Sequence, residues 1–560
     1  MFAARSRLFG LLGAIGLLAG GCATDHSPRQ AARDPARISQ RADAYAHYAS
    51  GLIHDQRNEA ALADRDFALA AAADPDNETL AVDLGRRLLQ RRQSEHAVEL
   101  LSRSAARPRA TGLVYGWLGF ALDQAGDTNA AVAAFQTASK RSPQLFLAYH
   151  GLARIALDRK QPAEALKVID AAMRQPKADA EFLVGLAQFL IASAQSKALP
   201  DTETKPRVRA LLQRCAKLAP TDPSLLQKMA DCYRAIGELV SATELYQNLL
   251  DHQSNADPAA TMALHEQLFQ LYTLSGQPGK AEVQLREIRN ANPANPLVHY
   301  LLGSVALDER RYADAVTSFE QALLLAPDAR ELEPAYYKLA AAQISLHQPQ
   351  AALDTLTRAR ARFRPNFFLE FYTGVAQAEA AEYGEALKSY TSAELLAKAS
   401  EPSSLTEAFY YQLGVAQERS GSFEDAERTF RKCLQMAPED AEALNYLGYS
   451  WADRGVNLEE ARALIEKAVK LKPEEPAYLD SLAWVLYRLK QPQAALVPME
   501  KAVRLSEKTP DATLFEHLGD IRAASGNEPG AREAWRKALE LEPSDVLRRK
   551  LEVAPATGKP

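Results

Sequence analysis

A spacing of five residues that keeps returning along the chain constrains this protein more than any other feature. Gly303, Ala315, Phe319, Ala322 and Pro327 stand at successive offsets of 12, 4, 3 and 5. The same offsets hold for Gly51, Ala63, Phe67, Ala70 and Pro75, and for Gly119, Ala131, Phe135, Ala138 and Pro143. They hold again for Gly414, Ala426, Phe430, Cys433 and Pro438, and for Gly519, Ala531, Trp535, Ala538 and Pro543. From Gly414 to Gly448, and from Pro293 to Pro327, the step is 34 residues. A fixed period of this size means one small unit copied many times. Such a unit cannot bury its apolar face alone, so stability must come from stacking copies.

Each copy carries two apolar helical stripes parted by a turn, often with glycine (Gly126, Gly276, Gly421, Gly526). Gly or Ala at position 8 lets the first helix, A, approach the second, B. Ala at position 20 is its counterpart, and the aromatic at position 24 fills the space that the small residues leave. Ala at position 27 lets helix B pack on the next copy, and proline at position 32 stops it. Polar residues after that proline (Asp76, Asp222, Asp328, Glu439, Ser544) suit the cap of the next helix. This unit resembles the tetratricopeptide repeat, and the resemblance covers roughly residues 44–543. It implies an all-α superhelical solenoid of about 14 helix-turn-helix units. They begin near residues 44, 78, 112, 146, 180, 223, 262, 296, 333, 367, 407, 441, 476 and 512. The span 44–552 reads as one continuous array ending in a cap helix at 544–552, with a tail at 553–560. An insertion at Lys197–Pro206 is expected to protrude as a loop, and Ala399–Ser404 is the other plausible joint.

Composition limits the chemistry. A net charge of −5, with no basic block after the first residues, argues against nucleic acid as a partner. Four cysteines in 560 residues exclude a disulfide scaffold. Cys215 and Cys433 fall at position 27 and read as small core residues. Cys215 and Cys232 lie on successive helices, and their pairing stays open. His265-Glu266 lacks a second histidine one turn on, where Phe269 stands. There is no glycine-rich phosphate loop and no nucleophile elbow. No catalytic residue, metal site or cofactor is expected, and the chain reads as a non-enzyme.

The first residues read as an address. Arg5 and Arg7 precede an apolar run, Leu8–Ala19, too short to span a bilayer, and Gly20-Gly21-Cys22 follow. The segment resembles a bacterial lipoprotein signal. The resemblance implies a signal peptide at 1–21, cleavage before Cys22 and a diacylglycerol on its thiol. Ala23 after the cysteine favours the outer membrane, with the protein facing the periplasm of a Gram-negative cell. Residues 22–43 then form the lipidated cysteine and a polar tether, about 25 Å long as a random coil.

The resemblance also implies where the chain works. In this repeat family helix A lines the concave face, and position 5 points into it. Along repeats 8 to 11 that position holds Tyr300, Tyr337, Phe371 and Tyr411, and nearby inward positions add Phe368, Tyr449, Trp484 and Tyr487. This aromatic ladder is the expected partner-binding groove, since rigid aromatics dominate binding hot spots. Residues 443–489 resemble a repeat pair of large tetratricopeptide lipoproteins. Some of those are adaptors that hold a carboxy-terminal processing protease together with its peptidoglycan-hydrolase substrates. The expected function is therefore a lipid-anchored scaffold for envelope proteins or peptides. The alternatives are an assembly factor for a secretion, pilus or exopolysaccharide export system, or a glycan-binding solenoid. Oligomeric state stays open.

Overall fold

The computed structural model of the protein describes residues 35–253 and 257–553, and 29 α-helices and no strand stand among them. The helices fall into two compact bodies. The N-terminal body runs to Leu271 and the C-terminal body starts at Tyr272. Within each, helix A of a repeat packs on its own helix B, and helix B packs on helix A of the next repeat. The solenoid expected from the period is the fold observed.

The five-residue pattern is the packing seam. In repeat 3, Gly112–Gln124 is helix A and Thr128–Arg141 is helix B. A Cβ on Gly119 would lie 2.8 Å from the ring of Phe135, and one on Gly303 would lie 2.8 Å from Phe319. Gly374 faces Tyr390 in the same way, and Gly414 faces Phe430. Ala131, Ala138, Ala315 and Ala322 are fully buried between the helices. The aromatic at position 24 thus lies against bare backbone, a contact that a larger residue at position 8 would push apart.

The turn between A and B uses one left-handed residue, at position 15 of almost every repeat. It is glycine at Gly126 (φ 94°), Gly421 (φ 84°) and Gly526 (φ 83°). It is a residue with a side chain at Arg92, Lys160, Arg310, His347, Ala381 and Lys490, with φ near 60° in each. Helix B then stops just before its proline, as at Ser142, Ala326 and Ala437.

Four expectations are corrected. The first helix runs Pro35–Gln56, so residues 35–43 of the expected tether are helical. The insertion at 197–206 does not protrude. Helix B of repeat 5 runs Asp201–Lys217 and takes up Pro206, leaving a short link anchored by the buried Leu199. Asp201 and Glu203 in the first turn suit the helix dipole, and Lys205–Asp201 (2.8 Å) and Arg207–Glu203 (2.6 Å) pair along it. Of the caps expected after the prolines, Asp222 and Ser544 hold, accepting from the Leu225 and Leu547 N–H groups, while two others sit one residue later. Asn77 accepts from the Leu80 N–H and Asp440 from those of Glu442 and Ala443, while Asp328 pairs with Arg362 at 3.1 Å. The division between bodies falls in repeat 7, not at 197–206 or 399–404. That repeat breaks the pattern at position 8, with Phe269 where a small residue belongs.

The array ends in Asp545–Val553, whose Leu547 is buried. Among the described residues no helix is long and apolar enough to cross a membrane.

Candidate functional site: the face of the A helices

Successive A helices lie side by side within each body, so their free flanks make a continuous face. In the C-terminal body the residues expected as a ladder differ in exposure. Tyr300, Phe371, Tyr411 and Tyr449 are half-buried, while Tyr337 (6% exposed) and Trp484 (9%) are buried. Phe368 (44%) and Leu297 (48%) are exposed.

A recurring contact explains the half-burial. The ring at position 5 leans on the aromatic at position 24 of its own repeat. Centroids lie 6.0 Å apart for Tyr300–Phe319, 6.1 Å for Phe371–Tyr390 and 6.0 Å for Tyr411–Phe430. Position 5 therefore serves the seam with one ring face and the open flank with the rest. Repeat 9 has Leu356 at position 24, and its Tyr337 is held differently. The Tyr337 hydroxyl donates to Glu333 Oε1 (2.6 Å), and Asn366 Nδ2 donates to that hydroxyl (2.8 Å) and to Glu333 Oε1 (2.6 Å). Burial, with the Glu333 carboxylate next, pushes the phenol's pKa up. Tyr337 stacks on Phe368 and Tyr372, at 6.1 and 6.5 Å. Among the described residues no ring of the position-5 series stacks on the next one.

Trp484 belongs to a buried polar cluster in the last two repeats. Its ring stacks on His517 at 4.0 Å, and His517 Nδ1 lies 2.8 Å from Asp480 Oδ1. Burial works against charge on His517, but the Asp480 hydrogen bond and charge outweigh it and raise its pKa. Lys550 of the last helix reaches Glu516 (2.9 Å) and Asp520 (2.7 Å). The Nε1 of Trp484 and the Oδ1 of Asn445 are buried without a hydrogen-bond partner.

Sequence reasoning missed a second set of rings, in the N-terminal body. Trp117, Phe120, Phe146, His150 and Phe189 form it, from positions 6, 9, 1, 5 and 10 of their repeats. Reading one register position at a time could not find them. The available signal was several aromatics on three consecutive A helices, whatever their position.

The cysteines carry no visible chemistry. Cys215, Cys232 and Cys433 are buried and free, so the open pairing of Cys215 with Cys232 is not made. Cys215 Sγ lies 3.4 Å from Met229 Sδ. Burial, with nearby Asp179 and Asp231, pushes the thiols up to about 11 for Cys215 and about 12 for Cys232. Cys22 lies outside the described residues. Among the described residues no cluster of three metal-ligating side chains occurs.

The tetratricopeptide-repeat family model matches residues 124–183, 274–331, 411–476 and 477–509. A TPR repeat-containing protein of Pseudomonas aeruginosa is 30% identical over 223 residues, which is 40% of this chain and 36% of that protein. The match thus spans about a third of that relative's length. Among solved structures, a tetratricopeptide repeat protein from Parabacteroides merdae matches 46% of this chain and 98% of its own, at 18% identity and TM-score 0.37. A chain of the Cut9–Hcn1 hetero-tetramer of APC/C matches 85% of this chain and 96% of its own, at 13% identity and TM-score 0.40. Repeat matches in both bodies coincide with the observed helix pairs, and the matched segments carry tetratricopeptide repeats.

Proposed function

We propose that this protein is a non-enzymatic, lipid-anchored scaffold that holds envelope proteins together, presenting substrates to a periplasmic protease. The scaffold class follows from the repeats themselves. The finer role rests on the sequence of the first 22 residues and on the repeat pair at 443–489. The single observation that carries the binding role is the apolar A-helix face of the C-terminal body. Phe368 and Leu297 stand open there beside half-buried Tyr300, Phe371 and Tyr411. Aromatic and aliphatic groups with open faces on successive A helices supply the kind of anchors that dominate binding surfaces.

Cross-linked capture from envelope extracts tests this, with bound proteins identified by mass spectrometry. The wild type is compared with Leu297→Glu/Phe368→Glu, which changes two exposed residues and spares the seam. A protease and cell-wall hydrolases should come down with the wild type and be lost with the variant. Export or pilus components instead would keep the scaffold and replace the role. Cys22→Ser should release the protein from the membrane fraction. Unchanged membrane retention would sink the lipid anchor.

A further inference from the structure

The N-terminal body carries an unbroken run of rings across its A helices. Trp117 and Phe120, on Gly112–Gln124, lie 5.8 Å apart. Phe120 stacks on His150, of Phe146–Asp158, at 6.1 Å and 16°. His150 meets Phe146 at 5.4 Å and Phe189, of Ala180–Gln195, at 5.0 Å. Gly185 makes room for this, since a Cβ there would stand 3.3 Å from the Phe146 ring. All five rings are half-buried. Each therefore keeps part of its surface open. Burial, with the Arg154 charge second, lowers the His150 pKa to about 4, so the imidazole is neutral near pH 7.

A cation stands at one end of the run. The Arg86 guanidinium, on Glu78–Gln90, lies over the Trp117 ring at 5.4 Å. Its neighbours are engaged. Arg87 pairs with Asp55 and Asp83, Arg91 with Asp55 and Asp64, and Arg154 with Asp123 and Asp158. Arg86 forms no ion pair among the described residues. A guanidinium lying on a ring face keeps its edge N–H groups free, and these fit a carboxylate. Four helices at about 8–10 Å spacing give a face about 25–30 Å long. That is the reach of about eight or nine extended residues.

We propose that this face docks a partner segment carrying large aromatic or aliphatic side chains beside a carboxylate, the carboxylate seated on Arg86. The rings take the apolar side chains, and neutral His150 adds a polar edge without a competing charge. This surface is independent of the face proposed above in the C-terminal body.

Fluorescence anisotropy of short labelled peptides on the full chain tests the proposal. One peptide carries two phenylalanines flanked by glutamates. A second has lysines for the glutamates, and a third has serines for the phenylalanines. The first should bind and the other two should not. Arg86→Gln should weaken the first about tenfold, as loss of a charged hydrogen-bond pair does. Arg86→Glu should shift preference to the lysine peptide, a gain that misfolding cannot mimic. Val497→Glu, at an exposed position of helix Pro492–Leu505, should leave binding unchanged. Equal binding of all three peptides, binding of none, or no effect of Arg86→Gln overturns the proposal. So does capture of a chitin oligosaccharide alone with loss in Trp117→Ala, which would make the rings sugar platforms.

Discussion

The position-8 glycines and the position-15 turn residues impose opposite demands on a side chain. At Gly414 there is no room, since a Cβ would stand 3.0 Å from the Phe430 ring. At Gly421 there is room, with nothing within 4 Å, but φ is +84°. Gly414→Leu should therefore overpack the seam and cost about 1–3 kcal/mol. Gly421→Ala should cost about 1 kcal/mol through backbone strain alone. Thermal melts followed by circular dichroism separate the two. An unchanged melt for Gly414→Leu would refute the seam. The first demand was legible in the sequence, because glycine or alanine recurs opposite an aromatic at a fixed offset. The second was legible only where the turn residue is glycine. At Arg92, Lys160 and Ala381 the same left-handed conformation falls on residues with a side chain, because the two helices over-determine it.

At the scale of elements, the polar cluster of the last two repeats couples two A helices and the closing helix. Pro476–Arg488 supplies Asp480 and Trp484, Ala512–Ala524 supplies His517, Glu516 and Asp520, and Asp545–Val553 supplies Lys550. The folded pKa of His517 is raised. Its pairing with Asp480 thus stabilises in full below the ordinary imidazole value of about 6.5. That contribution fades as pH climbs through the folded value. The melting temperature should fall over that window, and Asp480→Asn should flatten the fall. An equal slope in the variant would place the pH dependence elsewhere. Asp480→Ala, which strands a buried imidazole, should cost about 3–5 kcal/mol. The sequence places Asp480 and Glu516 at position 5 of the last two repeats. It does not show that His517 and Lys550 meet them, since those partners come from other helices, 37 and 34 residues away. The aromatic run of the N-terminal body escaped for a related reason. Its rings occupy five different register positions, and only helix-to-helix geometry lines them up.

Across the whole molecule, stability is spread along the stack, because each repeat packs chiefly on its immediate neighbours. An array of this kind behaves as a sum of repeat and interface terms, not as one cooperative block. A defect should therefore loosen its surroundings and fade with distance. Gly414→Leu should speed amide exchange in its own repeat, 407–436, and in the flanking helices Tyr383–Ser400 and Ala441–Arg454. Exchange in Gly112–Gln124 and Phe146–Asp158, several repeats away, should stay at the wild-type rate. Hydrogen exchange read by mass spectrometry resolves these segments in the intact chain. A uniform rise over all repeats would mean that the chain opens as one two-state unit. Local loosening would have a functional consequence. The two ring-bearing faces lie in different bodies, so loosening one should leave the other able to bind. Peptide capture at Arg86 should then survive Gly414→Leu, while capture at Phe368, one repeat away from the defect, should weaken.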